Sequence, residues 1–284
     1  MHDMNTSPPR LLAIDLDGTL LRRDKSIAQV DRDAVAECLS RGIHVAICTG
    51  RMTLGALGSA QELGLRTPMI CADGGVLADP VTGARLHQHP MHLPTATEMV
   101  SVLEGDGFQT CVFLYNEIYG NTRFEELRHF LQTWSPKVHL FDRLSDVSTW
   151  KNSTDISVVL AVGPKSSAMA HGEQLRNTYA AHADVVTWRA GGPDSTRYAV
   201  MARPAGINKG SALLQLAGQL GVEQRNIAAV GDWLNDLPML AVAGRSFAMG
   251  QSPEPVREQA TDTLVATCDT GGGVAEAVDR WLGA

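Results

Sequence analysis

Paired cysteines, surplus positive charge and long apolar runs are all missing from this chain, and each absence narrows what it can be. The five cysteines, Cys38, Cys48, Cys71, Cys111 and Cys268, are scattered, with no CxxC pair among them. Several sit inside apolar runs such as "VAICTG" and "MICADGG". Buried free thiols in a reducing compartment are therefore expected, rather than a disulfide framework or a zinc site. The 24 basic residues are outnumbered by 31 acidic ones, for a formal net charge of −7. A nucleic-acid partner is not expected, because such proteins carry a basic footprint. No apolar run approaches the length of a membrane span, so no membrane partner is expected. The polar opening "MHDMNTSPPR" lacks the apolar segment of a secretory signal, and a cytoplasmic location follows as the expectation. No internal repeat or low-complexity tract is visible. The acidic balance names no substrate, and the oligomeric state is not legible.

What is present is an ordinary globular composition, 44% hydrophobic and 19% charged over 284 residues, enough for one large or two medium domains. The first ninety or so residues alternate strand-like and helical patterns. "LLAI" and "IHVAICTG" read as strands, as does "TPMICADGG". Between them, "SIAQVDRDAVAECLSRG" carries Ile27, Val30, Ala34, Val35, Cys38 and Leu39 on a helical stripe. Such alternation with short connections predicts a parallel sheet covered on both faces. From about Leu93 to Arg203 the rhythm changes, with strand-like "FQTCVFLYNEIYG", "DISVVLAVG" and "TRYAVMAR" among helical stretches. Alternation then resumes in "NKGSALLQLAGQLGV", "NIAAVGD" and "RSFAMG", with "DTLVA" as an edge strand. The expected fold is α/β: a doubly wound, Rossmann-like parallel sheet over 10–90 and 204–284, with an inserted α+β domain over 91–203.

Four polar segments fall just past core strands or at the start of the following helix: "DLDGT", "CTGR", "GINKG" and "GDWLND". Ligands of such sheets bind beyond the carboxyl ends of the strands. Asp15 and Asp17 lie two apart in an extended segment, so both point to one side, roughly 7 Å apart at Cα. Together with Asp232 they would repel strongly at one sheet edge without a hard cation. Mg²⁺ accepts carboxylates, a backbone carbonyl, waters and a phosphate oxygen in an octahedron. Thr49 offers a hydroxyl and Gly50 a nearby backbone N–H to phosphate oxygens, and Lys209 supplies a point positive charge. Positioning and charge neutralisation are most of what phosphoryl transfer requires. One carboxylate of the pair can attack phosphorus, and the other can exchange protons with leaving group and water.

These segments resemble the motifs of the haloacid dehalogenase-like (HAD) superfamily, within it the Cof-type sugar-phosphatase group with a large α/β cap. "DLDGTLL", "CTGR", "GINKGSAL" and "GDWLNDLPML…AMG" look like its first to fourth motifs, in order, with a long insert between the second and third. The resemblance implies a phosphatase acting on a small phosphorylated metabolite, a sugar phosphate or a phosphorylated cofactor, through an aspartyl-phosphate. By it, Asp15 is the nucleophile and Asp17 the acid/base, Thr49 binds phosphate and Lys209 steadies the phosphoryl group. Asp232 becomes a direct Mg²⁺ ligand and Asp236 supports the metal site, with Asn235 beside it. The Asp15 side chain and the Asp17 backbone carbonyl complete the protein ligands.

Three departures stand out from that pattern. Asp73 in "CADGGV" replaces an amide near the phosphate entrance, Trp233 stands where glycine is common, and Gln251 where asparagine is usual. Asp73, Gly50 and Arg51, which follows the phosphate turn, are the candidate substrate contacts. His87, His89 and His92 read better as exposed strand or linker residues than as a metal site, and Arg189 and Arg197 as ordinary surface arginines. Two alternatives fit the same residues: a phosphomutase, and a phospho-acceptor signalling module that does not turn over.

Overall fold

The structure, a computed structural model, describes residues 10–191 and 194–283. The opening segment "MHDMNTSPP" lies outside the described residues. The chain divides into two compact units. The first takes in the described residues up to Gly50, then Ala56–Arg85 and Asn208 onward, and the second takes in Arg51–Gly55 and Leu86–Ile207. Relative to the expected limits, residues 51–55, 86–90 and 204–207 belong with the insertion.

Strands are numbered along the chain: β1 (Leu11–Ile14), β2 (His44–Ile47), β3 (Met69–Cys71), β4 (Val76–Ala78), β5 (Arg85–Gln88), β6 (Gln109–Leu114) and β7 (Glu117–Asn121). They continue with β8 (Val138–Phe141), β9 (Val158–Pro164), β10 (Ala183–Arg189), β11 (Arg197–Pro204), β12 (Ile227–Gly231), β13 (Arg245–Ala248) and β14 (Asp262–Thr263). The first unit holds a five-stranded sheet in the order β14-β13-β12-β1-β2, parallel throughout. β1 and β12 are buried along their whole length, as strands covered on both faces must be.

The third strand joins the expected parallel sheet by a single bridge and forms most of its ladder with the strand that follows. β3 pairs antiparallel with β4, and meets β2 only through the Cys48–Ile70 bridge and the Thr49 N–H on the Ile70 carbonyl, 2.8 Å. The cause is local: Ala72 and Asp73 take left-handed backbone angles, φ 49° and 53°, which turn the chain back on itself.

The helical stripe read from "SIAQVDRDAVAECLSRG" is also corrected at one position. The helix Gln29–Ser40 buries Ala34, Val35 and Cys38, but Val30 is 55% exposed and Asp31 is fully buried. Asp31 accepts from Gly272 N at 2.8 Å and Ala275 N at 2.9 Å, capping the helix Gly273–Leu282 from across the unit. The carboxylate thus satisfies orphan amides at a positive helix end. Asp31→Ala is expected to lower stability by about 2 kcal/mol. A lower urea midpoint at unchanged slope is the check.

In the second unit six strands run in the order β10-β11-β9-β6-β7-β8, antiparallel except for β7 with β8. One apolar cluster includes Met99, Val100, Trp150 and Leu175, and another Met52, Phe113, Phe124 and Leu131. Met52 joins the second because its N–H donates to the Trp134 carbonyl at 3.2 Å. A Cβ on Gly55 would stand 2.4 Å from that same oxygen, so the tight approach demands glycine. The five cysteines are free and buried. No helix among the described residues is long and apolar enough to cross a membrane.

Candidate active site

Parallel pairing sets the carboxyl ends of β12, β1 and β2 side by side. Ile14 pairs with Val230 and with Ile47, and the Asp15 N–H extends the ladder onto the Val230 carbonyl at 3.0 Å. Asp15 and Asp232 therefore leave adjacent strands at the same edge. Lys209 arrives as the first residue of the helix Lys209–Gln219. Asn208 caps that helix, its Oδ1 accepting from Ser211 N at 2.9 Å while its own N–H donates to Ser211 Oγ at 3.0 Å.

Fully buried, the Lys209 ammonium donates from Nζ to Asp15 Oδ1 and to Asp236 Oδ1, each at 2.6 Å. A cation at a helix N-terminus opposes the helix dipole. The two carboxylates outweigh that, and they outweigh the burial that disfavours its charge, so Lys209 is held well above the usual range and stays charged. Asp236 is equally committed: its Oδ2 accepts from Asp232 N and Trp233 N, both at 2.9 Å. One side chain thus closes the turn after β12 and anchors the ammonium.

Asp15, Asp232 and Asp236 offer carboxylate oxygens all within 4.8 Å of one another. Burial, then repulsion from Asp236 and Asp232, pushes Asp15 well above the usual carboxylate range despite Lys209. Burial and Asp236 push Asp232 up to about 7, although Lys209, Thr19 and Gln251 pull the other way. Three carboxylates against the Lys209 ammonium leave the cluster short of positive charge. An all-oxygen donor set this close fits a hard divalent cation, which would offset both the burial of the charges and their mutual repulsion.

Gly18 makes the close packing possible. Its φ is +91°, and a Cβ there would stand 2.3 Å from Asp232 Oδ2. Thr19 Oγ1 donates to Asp232 Oδ1 at 3.2 Å, and Gln251 Nε2 donates to the Gly18 carbonyl at 2.6 Å. The glutamine in place of asparagine therefore ties the first motif to the last. Thr19 was not singled out in the sequence, although its place directly after Gly18 is a usable signal.

Thr49 is buried, its carbonyl accepting from Asp73 N at 3.1 Å, and Gly50 is half-buried. Asp73, also buried, accepts from Asn235 Nδ2 at 2.8 Å, and its Oδ1 lies 3.3 Å from where a Gly50 Cβ would sit. The second and fourth motifs thus meet through this carboxylate. Asp17 differs from its neighbour. Its carboxylate is partly exposed, lies outside the three-carboxylate group and accepts from Lys25 Nζ at 2.8 Å. Arg51 falls in the second unit, where Nη1 donates to the Gly55 carbonyl at 2.9 Å. Trp233 is 48% exposed.

The histidine segment forms no metal group. His87 and His89 meet edge to face, and His92 stacks on His182 at 4.5 Å. The one cluster of three or more candidate ligands among the described residues is the aspartate trio. Arg197 pairs with Glu126 at 2.9 Å, an ordinary surface contact.

A family model for haloacid dehalogenase-like hydrolases matches residues 12–278. The chain is 27% identical to the phosphatase YwpJ of Bacillus subtilis, over 93% of this chain and 96% of that protein. It is 26% identical to the 5-amino-6-(5-phospho-D-ribitylamino)uracil phosphatase YwtE of the same organism, over 96% and 98%. Among solved structures, a haloacid dehalogenase-like hydrolase from B. subtilis superposes with a TM-score of 0.81 at 26% identity, covering 95% of this chain and 99% of that one. The parallel sheet with its separate second sheet matches such neighbours. With carboxylates and a lysine from both halves of the sequence gathered at one sheet edge, the chain belongs to the haloacid dehalogenase-like hydrolases, as its four motifs indicated.

Proposed function

We propose that the protein is a Mg²⁺-dependent phosphomonoesterase that hydrolyses a small phosphorylated metabolite through an aspartyl-phosphate on Asp15. The observation that carries this reading is the bridge of Lys209 between Asp15 and Asp236, with Asp232 in the same group. One relative's name, that of a 5-amino-6-(5-phospho-D-ribitylamino)uracil phosphatase, supports the same substrate class, and another's, simply a phosphatase, supports the reaction.

Asp15 Oδ2 attacks phosphorus while Oδ1 stays on Lys209, and the bond from phosphorus to the ester oxygen breaks. Asp17 gives its proton to that oxygen, so the alcohol departs neutral. Asp17, now a carboxylate, takes a proton from water; the resulting hydroxide attacks phosphorus, releasing inorganic phosphate and the Asp15 carboxylate. Thr49 Oγ1 and the Gly50 N–H hold the phosphoryl oxygens, and Lys209 keeps the nucleophile oriented and offsets charge. Asp73 acts on the substrate beyond the phosphoryl group. The Asp15 and Asp232 side chains and the Asp17 carbonyl would hold Mg²⁺, with Asp236 in support. When bound, the ion neutralises the phosphoryl oxygens and lets an ionised Asp15 approach them.

Purified protein with Mg²⁺ is expected to release inorganic phosphate from p-nitrophenyl phosphate and from members of a phosphometabolite panel. Chelation should stop release and fresh Mg²⁺ restore it. A stable phosphoprotein with no phosphate released, or a sugar phosphate isomerised rather than hydrolysed, would overturn the assignment.

A further inference from the structure

We propose that Lys25 is a positioning residue for Asp17: a hairpin carries its ammonium to the acid/base carboxylate and fixes which oxygen serves the leaving group. The inference rests on the acid/base role given to Asp17 above.

The hairpin follows the first motif directly. Leu21 and Ile27 form an antiparallel bridge, the Arg22 N–H donates to the Ser26 carbonyl at 2.9 Å, and the Lys25 N–H closes a turn onto the Arg22 carbonyl at 2.9 Å. Arg23 Nη2 donates to Asp269 Oδ2 at 3.2 Å, tying the tip to a distant loop of the same unit. Lys25 itself sits at φ +66°, in the left-handed region. After a turn of this kind glycine or asparagine is the usual occupant, because a longer L side chain is strained there. A lysine at such a position bears a backbone cost, and its ammonium reaches Asp17 Oδ1 at 2.8 Å.

Both partners are substantially exposed, so the pair adds little to stability. Its effect is on geometry. With Oδ1 engaged by Lys25, the carboxyl rotation is restricted and proton transfer to the ester oxygen runs through Oδ2. Lys25 touches neither substrate nor phosphorus in this scheme; it acts through Asp17.

The test separates this role from a structural one by the leaving group. p-Nitrophenolate departs without protonation, whereas an alkoxide needs the proton from Asp17. In Lys25→Asn, the single-turnover rate of leaving-group release is expected to fall on the order of tenfold further for an alkyl phosphate from the wild-type substrate panel than for p-nitrophenyl phosphate, a fraction of a typical general-acid contribution. KM for both esters should stay near wild type. The melting temperature should hold or rise, because asparagine tolerates the left-handed backbone. Lys25→Arg should recover most of the lost alkyl-ester turnover. In an Asp17→Asn background, Lys25→Asn should leave the alkyl-to-aryl ratio unchanged. Equal losses on both esters, no loss on either, or a further change in the Asp17→Asn background would overturn the proposal. Absence of phosphatase activity in the wild-type protein would instead defeat the underlying functional reading.

Discussion

Asp15→Asn is expected to reduce phosphate release to background, a loss of at least about 10⁴-fold in kcat, comparable with removal of a nucleophile elsewhere. The expected loss is this large because the amide has no ionisable oxygen with which to bond phosphorus, and Asp236 and Asp232 are already engaged in other ways. Asp236 gives both oxygens to Lys209, Asp232 N and Trp233 N, and Asp232 Oδ1 accepts from Thr19. The fold should survive. The asparagine Oδ1 still accepts from Lys209, the second ion pair to Asp236 persists, and one repelling charge leaves a cluster in which burial and repulsion oppose ionisation. Steady-state release of phosphate, measured beside circular dichroism of the same sample, checks both halves. Turnover surviving the change would transfer the nucleophilic role to another group.

Lys209→Met is expected to cost both activity and stability. The side chain is fully buried and pairs with two carboxylates at 2.6 Å each. Methionine matches its length but leaves Asp15 and Asp236 facing each other without a cation, and breaking such a buried pair costs about 3–5 kcal/mol. Urea unfolding without divalent cation reads this directly as a lower midpoint. Arginine is not expected to rescue. Its planar fork is wider than an ammonium, and no space opens around a side chain with 0% exposure. A Lys209→Met protein as stable as the parent would mean that the attraction of the ammonium to the two carboxylates only balances the cost of burying the charges.

The contrast between Asp15 and Asp17 marks how far sequence reasoning reached. Both stand out in "DLDGT" because charged groups at the end of an apolar strand demand an explanation, and alternation places them on one side. That local rule holds only while the chain stays extended. After Asp15 it does not: the Thr19 N–H turns onto the Leu16 carbonyl and the Leu21 N–H onto the same oxygen, so Asp17 leaves the trio and meets Lys25. The third strand forms where the sequence places it and bridges β2 in parallel, but the turn after it was not legible. Its composition is that of a buried strand, but left-handed angles at Ala72 and Asp73 redirect it into a hairpin, and non-glycine residues carry no mark of such angles.

By itself, the sequence determined the α/β class, the order of the polar segments and their position just beyond strands, since strand periodicity and the cost of burying charge are both written in neighbouring residues. Only the tertiary structure decided that Asp31 caps a helix 241 residues away, that Gly18 admits Asp232, and that Asp236 serves a turn and an ammonium together. Those pairings depend on which strand ends the sheet brings side by side. A hydrogen bond between distant residues leaves no trace in the spacing of either one.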